Sequence, residues 1–332
     1  MAARRRGKKK SGRSYAWRYR GRIVACVFVE VIIICALIIM IGWNKGVKEW
    51  FEQFEQPVLK EVDISGINSP NAILMQARGG KILGEINGEA QIYPASMTKI
   101  MTVILGIENF DDLDEKITLT NEMFSGLYEQ DATQAGFQPG EEVRVIDLLY
   151  GAMLPSGAEC CIALADTISG SEADFAELMN KKAGKLGMEN THFCDSTGLH
   201  NPDHYSTVKD IAVLMKYCIK NDTFREIVET SRHSTGVTNI HPDGITYYST
   251  MFKNLSDPTV TGGKILGGKT GYTSEAGHCL VSFAEIEGRE YIFVSAGASG
   301  ADGNTIPHIQ DAVTVYNRVG AAIEAKMNDN NK

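Results

Sequence analysis

Tyr93-Pro94-Ala95-Ser96-Met97-Thr98-Lys99-Ile100-Met101-Thr102 sets a serine three residues ahead of a lysine, at the head of an apolar run. Met97, Ile100, Met101, Ile104 and Leu105 recur at helical spacing, which predicts a buried helix starting near Ser96. Residues three apart on a helix share a face, so the Ser96 hydroxyl and the Lys99 amine come together. A serine hydroxyl is a weak nucleophile until a neighbouring base takes its proton. A lysine stripped of water, or set beside another cation, can lose its proton and serve as that base. The helix start adds backbone N–H groups and a partial positive charge. By itself a Ser-x-x-Lys pair also describes many exposed helix turns, so its weight depends on the rest of the chain.

Outward from this stretch, two runs precede it. Ala72–Gln76 and Lys81–Glu85 flank Gly79-Gly80 and predict a hairpin. After it come a turn at Gln138-Pro139-Gly140-Glu141 and a helix over Val143–Met153 that breaks at Pro155-Ser156-Gly157. Helices follow over Ala158–Ile168, Glu172–Leu186 and Val208–Cys218. Gly277–Ile286 and Tyr291–Ala298 alternate around Glu287-Gly288-Arg289-Glu290, a second hairpin, and Ile309–Lys326 forms a last helix. Strands at both ends with helices between them predict an α+β domain whose sheet joins the two termini.

Two further motifs give the Ser96–Lys99 pair its meaning. Leu154-Pro155-Ser156-Gly157 places a hydroxyl in a loop between apolar helices, 60 residues after Ser96. Gly267-Gly268-Lys269-Thr270-Gly271-Tyr272-Thr273 follows 113 residues later, counted from Ser156 to Lys269. Ser-x-x-Lys, a second serine motif and Lys-Thr-Gly, in that order, are the three parts of the penicillin-recognising serine enzymes. The runs YPASMTKIMT, GFQPGEEVRVIDLLYGAMLPSGAECCIALAD, FCDSTGLHNPDHYST and GGKTGYTSEAGHCLVSFA resemble one branch of them. That branch is the low-molecular-mass D-alanyl-D-alanine carboxypeptidases of peptidase family S11, and the resemblance extends from Val62 to the C-terminus.

The resemblance implies a serine β-lactamase/penicillin-binding (DD-peptidase) fold: an antiparallel sheet flanked by helices, plus a helical subdomain, with Ser96 at their junction. It implies that Ser96 attacks the penultimate D-alanine carbonyl of a peptidoglycan stem peptide and that Lys99 is the general base. Ser156 would relay a proton to the leaving amine. Lys269, Thr270, Gly271 and Tyr272 would bind substrate: Lys269 and Thr270 at its terminal carboxylate, the N–H groups of Ser96 and Tyr272 as the oxyanion hole. β-Lactams would acylate Ser96 by imitating this substrate. No cofactor or metal is implied. One departure stands out: the family's second motif is usually Ser-Gly-Asn, and this chain has Ser156-Gly157-Ala158. Alanine cannot supply the asparagine's substrate and lysine contacts, a loss of about 1–3 kcal/mol. Glu159, next in the chain, would project differently from a helix start. Two alternatives therefore stand beside the carboxypeptidase: a DD-endopeptidase acting on cross-links, and a catalytically weakened protein that binds wall peptides or β-lactams.

Charge places the domain. Residues 1–22 carry ten Lys and Arg and no acid, leaving 23 of the 33 basic residues against all 41 Asp and Glu, a net of −18. Ile23–Trp43 follows with 21 residues and a single charge, Glu30. That is the length of a bilayer-spanning helix, and a basic flank stays cytoplasmic. The run is long for a signal peptide and no small-x-small cleavage pattern follows it, so it reads as an uncleaved anchor over a cleaved signal. The basic tail is then a topology signal rather than a nucleic-acid arm. The expected organisation is a cytoplasmic tail over 1–22, a transmembrane helix over 23–43, a stalk over 44–61 and a DD-peptidase domain over 62–332. The domain is expected outside the cytoplasm of a bacterial cell, tethered to its membrane by this single pass.

Other readings are weaker. Gly263-Lys264-Ile265-Leu266-Gly267-Gly268-Lys269-Thr270 satisfies the phosphate-loop pattern, but that loop needs a strand before it and a helix after it. Here a strand pattern follows, so no nucleotide is expected. Seven histidines form no metal-ligand spacing: His200 and His204 are four apart, but Asn201-Pro202-Asp203 prevents a regular helix between them. His204 is expected to order a loop near the site. A class A β-lactamase shares the three motifs but adds a glutamate on a separate loop, which no stretch here suggests. Five cysteines lie outside the apolar run, an odd number at irregular spacing, which does not describe a disulfide framework.

Overall fold

The computed structural model describes residues 31–32, 59–300 and 306–330. The chain divides into two units, Met1–Pro57 and Val58–Lys332, and the second carries the fold. The predicted basic tail, the predicted span over 23–43 (apart from Val31 and Ile32) and most of the stalk lie outside the described residues. Among the described residues, no helix is long and apolar enough to cross a membrane.

The sheet joins the chain's two ends, as the strand pattern predicts. β1 (Asn71–Gln76) and β2 (Ile82–Ile86) form the first hairpin, and β8 (Gly263–Thr273), β9 (Gly277–Ile286) and β10 (Arg289–Ala298) form a late meander. A short β7 (Thr259–Val260) completes the order β2-β1-β10-β9-β8-β7. β1 pairs antiparallel with β10, from Asn71 opposite Ala296 to Gln76 opposite Tyr291. Alternation in these strands sorts side chains between two cores, because successive residues point to opposite faces. Ile73, Met75, Val281, Phe283, Ile292 and Val294 enter the core shared with the central helices. Leu74, Leu280, Ala284 and Phe293 face the last helix instead.

The central helices are α1 (Lys99–Asn109), α2 (Val145–Met153), α3 (Ala158–Ser169), α4 (Glu172–Leu186), α5 (Val208–Cys218) and α6 (Asp222–Glu229). The glycines Gly170 and Gly187 close α3 and α4 in the left-handed conformation that a side chain would oppose. Ser171, Thr207 and Asn221 cap α4, α5 and α6 by accepting backbone N–H bonds. A final helix α8 (Pro307–Asn330) lays Ile309, Val315, Tyr316, Val319 and Ile323 on the other sheet face.

Several details differ from the sequence reading. Val143 belongs to β4 (Glu142–Arg144), which pairs with β3 (Lys116–Thr118), so α2 starts at Val145. Ser96 lies not in the α-helix but in a 3₁₀ turn, Ala95–Thr98, that leads into α1. The small hairpin of β5 (Arg232–Ser234) with β6 (Thr246–Tyr248), and the short α7 (Thr250–Asn254), had no sequence signal. The Lys-Thr-Gly motif occupies a strand of its own, β8, directly before the β9–β10 hairpin. Leu59 and Val62 are already buried, and Val62 donates to the Leu83 carbonyl at 2.7 Å, so packed structure begins by Leu59.

Candidate active site

The 3₁₀ turn explains why Ser96 and Lys99 meet. At three residues per turn, positions i and i+3 eclipse, and Lys99 Nζ donates to Ser96 Oγ at 3.1 Å. The turn is reached through Ala95 at φ 46°, a left-handed conformation unusual for a residue with a Cβ. Ser156 also sits in that region, at φ 75°, on the break between α2 and α3. Its hydroxyl donates to Ser96 Oγ at 3.0 Å. Strained backbone of this kind costs about 1–3 kcal/mol per residue and gathers at functional sites. Ser96 Oγ thus stands between an amine and a second hydroxyl contributed from two separate elements.

β8 closes the third side. Gly271 runs so close to the Ser96 turn that a Cβ there would lie 3.0 Å from Ser96 N. Lys269, one turn of the pleat away, is 1% exposed, and its Nζ donates to the Thr270 carbonyl at 2.9 Å. Thr270 Oγ1 meets Thr250 Oγ1 at 2.7 Å. Tyr272 projects into solvent at the rim, its ring 4.6 Å from that of His278. A cleft of about 1000 Å³ is lined by Ser96, Ser156, Lys269, Thr270, Gly271 and Tyr272, together with other residues. The structure therefore brings six of the seven sequence-predicted site residues to one cleft wall, with Lys99 buried directly beneath Ser96.

Both lysines are shifted toward the neutral form. Burial pushes Lys99 below the ordinary lysine range, against the attraction of the nearby Asp195 and Glu159 carboxylates. Burial and the nearby Lys99 hold Lys269 well below it. An amine that has shed its proton can accept one from Ser96. An incoming carboxylate would restore charge to Lys269, because an opposite charge favours the ionised form.

At the departure from the family pattern, Ala158 is 1% exposed and its N–H donates to the Thr133 carbonyl at 2.8 Å. The cleft wall beside Ser156 is formed by Thr133 and its neighbours Gln130 and Asp131. Glu159 is not among the residues that line the cleft, and its Oε1 accepts from Ala135 N and Gly136 N at 2.7 and 2.9 Å. It fastens the 130–136 loop onto α3. His204 lies under the Ser96 turn, where Nε2 is 2.9 Å from Thr98 Oγ1. Asp195 and Thr197, which also converge there, were missed in the sequence. The signal was present: Asp195 precedes Thr197-Gly198 at the spacing of an Asx turn.

Gly263–Thr270, which carries the phosphate-loop pattern, lies inside antiparallel β8 and turns into no helix. Among the described residues, the five cysteines are free thiols.

This arrangement of a hydroxyl between an amine and a second hydroxyl is one that can support serine acyl transfer. A family model for D-alanyl-D-alanine carboxypeptidases, peptidase S11, matches residues 58–300, and the chain belongs to that family. It is 35% identical over 231 residues to the D-alanyl-D-alanine carboxypeptidase DacF of Bacillus subtilis, across 69% of this chain and 57% of that one. It is also 35% identical to the D-alanyl-D-alanine carboxypeptidase of Streptomyces sp. K15, across 69% of this chain and 78% of that one. A point mutant of the Streptomyces K15 DD-transpeptidase superposes with a TM-score of 0.70 at 30% identity, covering 77% of this chain and 98% of that one. The chain spans 57% and 58% of the length of DacF and of DacC from Escherichia coli.

Proposed function

We propose that this chain is a serine-type D-Ala-D-Ala carboxypeptidase that removes the terminal D-alanine from peptidoglycan stem pentapeptides and is acylated by β-lactams. The observation that carries this reading is the contact of Ser96 Oγ with Lys99 Nζ on one side and Ser156 Oγ on the other. In the reaction, Ser96 Oγ bonds to the penultimate carbonyl carbon while its proton passes to neutral Lys99. The oxyanion so formed is stabilised by the N–H groups of Ser96 and Tyr272. Collapse breaks the C–N bond, and the leaving amine takes its proton through Ser156. Water then attacks the ester on Ser96, and the released acid and free serine restore the starting state. Lys269 and Thr270 hold the terminal carboxylate throughout, a contact that selects a C-terminal residue.

The family membership and the burial of both lysines support this reading over a binding protein without activity. The length and hydropathy of Ile23–Trp43 and its basic flank support anchorage to a bacterial membrane, with the N-terminus cytoplasmic and the catalytic domain outside.

A fluorescent penicillin tests the chemistry. Wild type should carry one label per chain after denaturation, and Ser96→Ala none. A pentapeptide should lose D-alanine in the presence of the enzyme and stay intact with Ser96→Ala. An unlabelled wild type, or a labelled Ser96→Ala, would sink the proposal. Faster release from a cross-linked dimer than from the pentapeptide would make the chain an endopeptidase instead.

A further inference from the structure

Beneath the Ser96 turn is a closed ring of hydrogen bonds whose members never touch the cleft. Asp195 is its hub. Asp195 Oδ1 accepts from Thr197 N and Thr197 Oγ1 at 2.7 Å each and from Gly198 N at 2.6 Å. Asp195 Oδ2 lies 3.1 Å from His204 Nδ1, and His204 Nε2 lies 2.9 Å from Thr98 Oγ1. Thr98 is covalently next to Lys99, whose Nζ donates to the Thr197 carbonyl at 2.7 Å. The path Asp195–Thr197–Lys99–Thr98–His204 therefore returns to Asp195. Thr98, Lys99, Thr197 and His204 are all buried.

The order carboxylate–imidazole–hydroxyl matches that of a serine-protease triad, but the Thr98 hydroxyl is sealed from solvent and has no substrate to meet. The ring holds instead of reacting. The Cys194 amide also points at His204 Nδ1, at 3.2 Å, which would suit a ring with its proton on the other nitrogen. The carboxylate decides the tautomer, since a bond to an ionised acceptor is about twice as strong as one to a neutral acceptor. With Nδ1–H given to Asp195, Nε2 accepts from Thr98.

We infer that Asp195 and His204 are positioning residues that aim the lone pair of Lys99 at Ser96 and, through the charge of Asp195, set the pH at which Lys99 becomes a base. This inference rests on the acyl-transfer reading above. A neutral lysine has two N–H bonds and one lone pair. Fixing one N–H on the Thr197 carbonyl restricts where the lone pair can point, and Asp195 pins Thr197 by its amide and hydroxyl and the following peptide by the Gly198 amide. Outer partners that orient a reactive group in this way commonly change activity by about 10- to 100-fold when removed.

Titratable groups from three parts of the fold face Lys99. Cys160, Cys161 and Glu159 do so from α3, Asp195 from the loop and Lys269 from β8. Burial raises both thiols, Cys161 to about 12, so they stay uncharged. Burial also raises Glu159, and it holds Lys269 well down. Burial would raise Asp195 as well, but the hydrogen bonds it accepts from His204 and Thr197 bring it to about 2. Asp195 is thus a carboxylate held low and ionised beside Lys99, and together with Glu159 it opposes loss of the Lys99 proton.

The test is the pH dependence of penicillin acylation in Asp195→Asn and Thr98→Val. Wild-type acylation should rise with pH through the Lys99 titration. Asp195→Asn removes the charge, so this limb should move about one to two pH units lower, with a plateau reduced about tenfold as the clamp loosens. Thr98→Val keeps the charge and cuts the ring at His204. Its limb should stay with wild type while its plateau drops severalfold. A merely structural role would lower the labelled fraction of each variant without moving the limb, so labelling stoichiometry is read alongside the rates. An Asp195→Asn limb that stays put or moves up would overturn the inference while leaving a labelled wild type to support acyl transfer. If Asp195→Asn does not fold, Thr98→Val still decides: acylation equal to wild type would overturn the positioning role. A wild type that takes no label would overturn the acyl-transfer reading and this inference with it.

Discussion

Lys269 is an amine that the fold has deprived of water. It is 1% exposed, it donates to one carbonyl, and both burial and the neighbouring Lys99 push its titration well below the ordinary lysine range. In the unfolded chain the same side chain keeps its proton until the ordinary range is reached. Between the lowered folded value and the ordinary value, the unfolded state binds more protons. The contribution of Lys269 to stability therefore rises with pH across that window and is lost as pH falls through it. Replacing a buried charge-bearing group by an apolar one of similar volume is often neutral or stabilising, by about 1–4 kcal/mol. Lys269→Met is accordingly expected to resist urea better than wild type at pH 6, with the gap narrowing toward pH 10, while its penicillin acylation falls by at least about 100-fold. Urea titrations across that pH range check the first half and labelling rates the second. A variant less stable than wild type at pH 6 would show that Lys269 is held for the fold and not for a ligand.

At the scale of elements, two glycines separate function from architecture. Gly198, at φ 81°, seats its loop against the Ser96 turn, and a Cβ there would lie 1.9 Å from the Ala95 carbonyl oxygen. Backbone on backbone cannot give way cheaply, so Gly198→Ala must part the loop from the turn and carry Thr197 away from Lys99. A loss of about 2–4 kcal/mol in stability is expected, together with acylation at least tenfold slower. Gly184 is exposed within α4, has no left-handed angle, and an added Cβ would meet nothing within 4 Å. Gly184→Ala should stabilise by about 0.5–1 kcal/mol through helix propensity and leave acylation unchanged. Thermal unfolding and labelling of the pair check both, and equal effects would sink the contrast. The same elements show what the sequence could disclose. Helices α4 and α5 and the β9–β10 hairpin were legible to within a residue or two, because long periodic patterns report burial directly. The β5–β6 hairpin and α7 were not, since strands of three residues and a helix of five carry too few periods. The three motifs showed Ser96, Lys99, Ser156 and Lys269. The Asp195 ring escaped because Thr98, Thr197 and His204 are joined by contacts up to 106 residues apart, which no local pattern encodes. Ala158 poses a question about rate, and the fold shows where it lies: buried, with its N–H on the Thr133 carbonyl.

For the molecule as a whole, the decisive contacts are those that join its ends. The β1–β2 hairpin cannot join the main sheet until β10 has been made, more than two hundred residues later, so loop-closure entropy opposes the full sheet until late in folding. A polar clasp secures the closure. Asp311 on α8 accepts from Asn68 N and Nδ2 at 2.8 Å each, and from Ser69 N and Oγ at 2.9 and 2.6 Å. Ser69 and Asp311 are buried, so these bonds have no water to replace them. Asp311→Ala would leave the Ser69 amide and hydroxyl without an acceptor, at about 1–3 kcal/mol for each buried group. The Ser96–Lys99–Ser156 array sits among the helices on the opposite sheet face, where Met97 and Ile100 belong to the other core. Asp311→Ala should therefore lower the midpoint of thermal unfolding by several degrees, about 2–4 °C per kcal/mol in a domain of this size, yet label fully at low temperature. In the Asp311→Ala background, Ser69→Ala should cost less than it does in wild type, because the two groups share one interaction. Additive losses, or a fall in labelling at a temperature where Asp311→Ala is folded, would show that the clasp and the site are not separate parts of the structure.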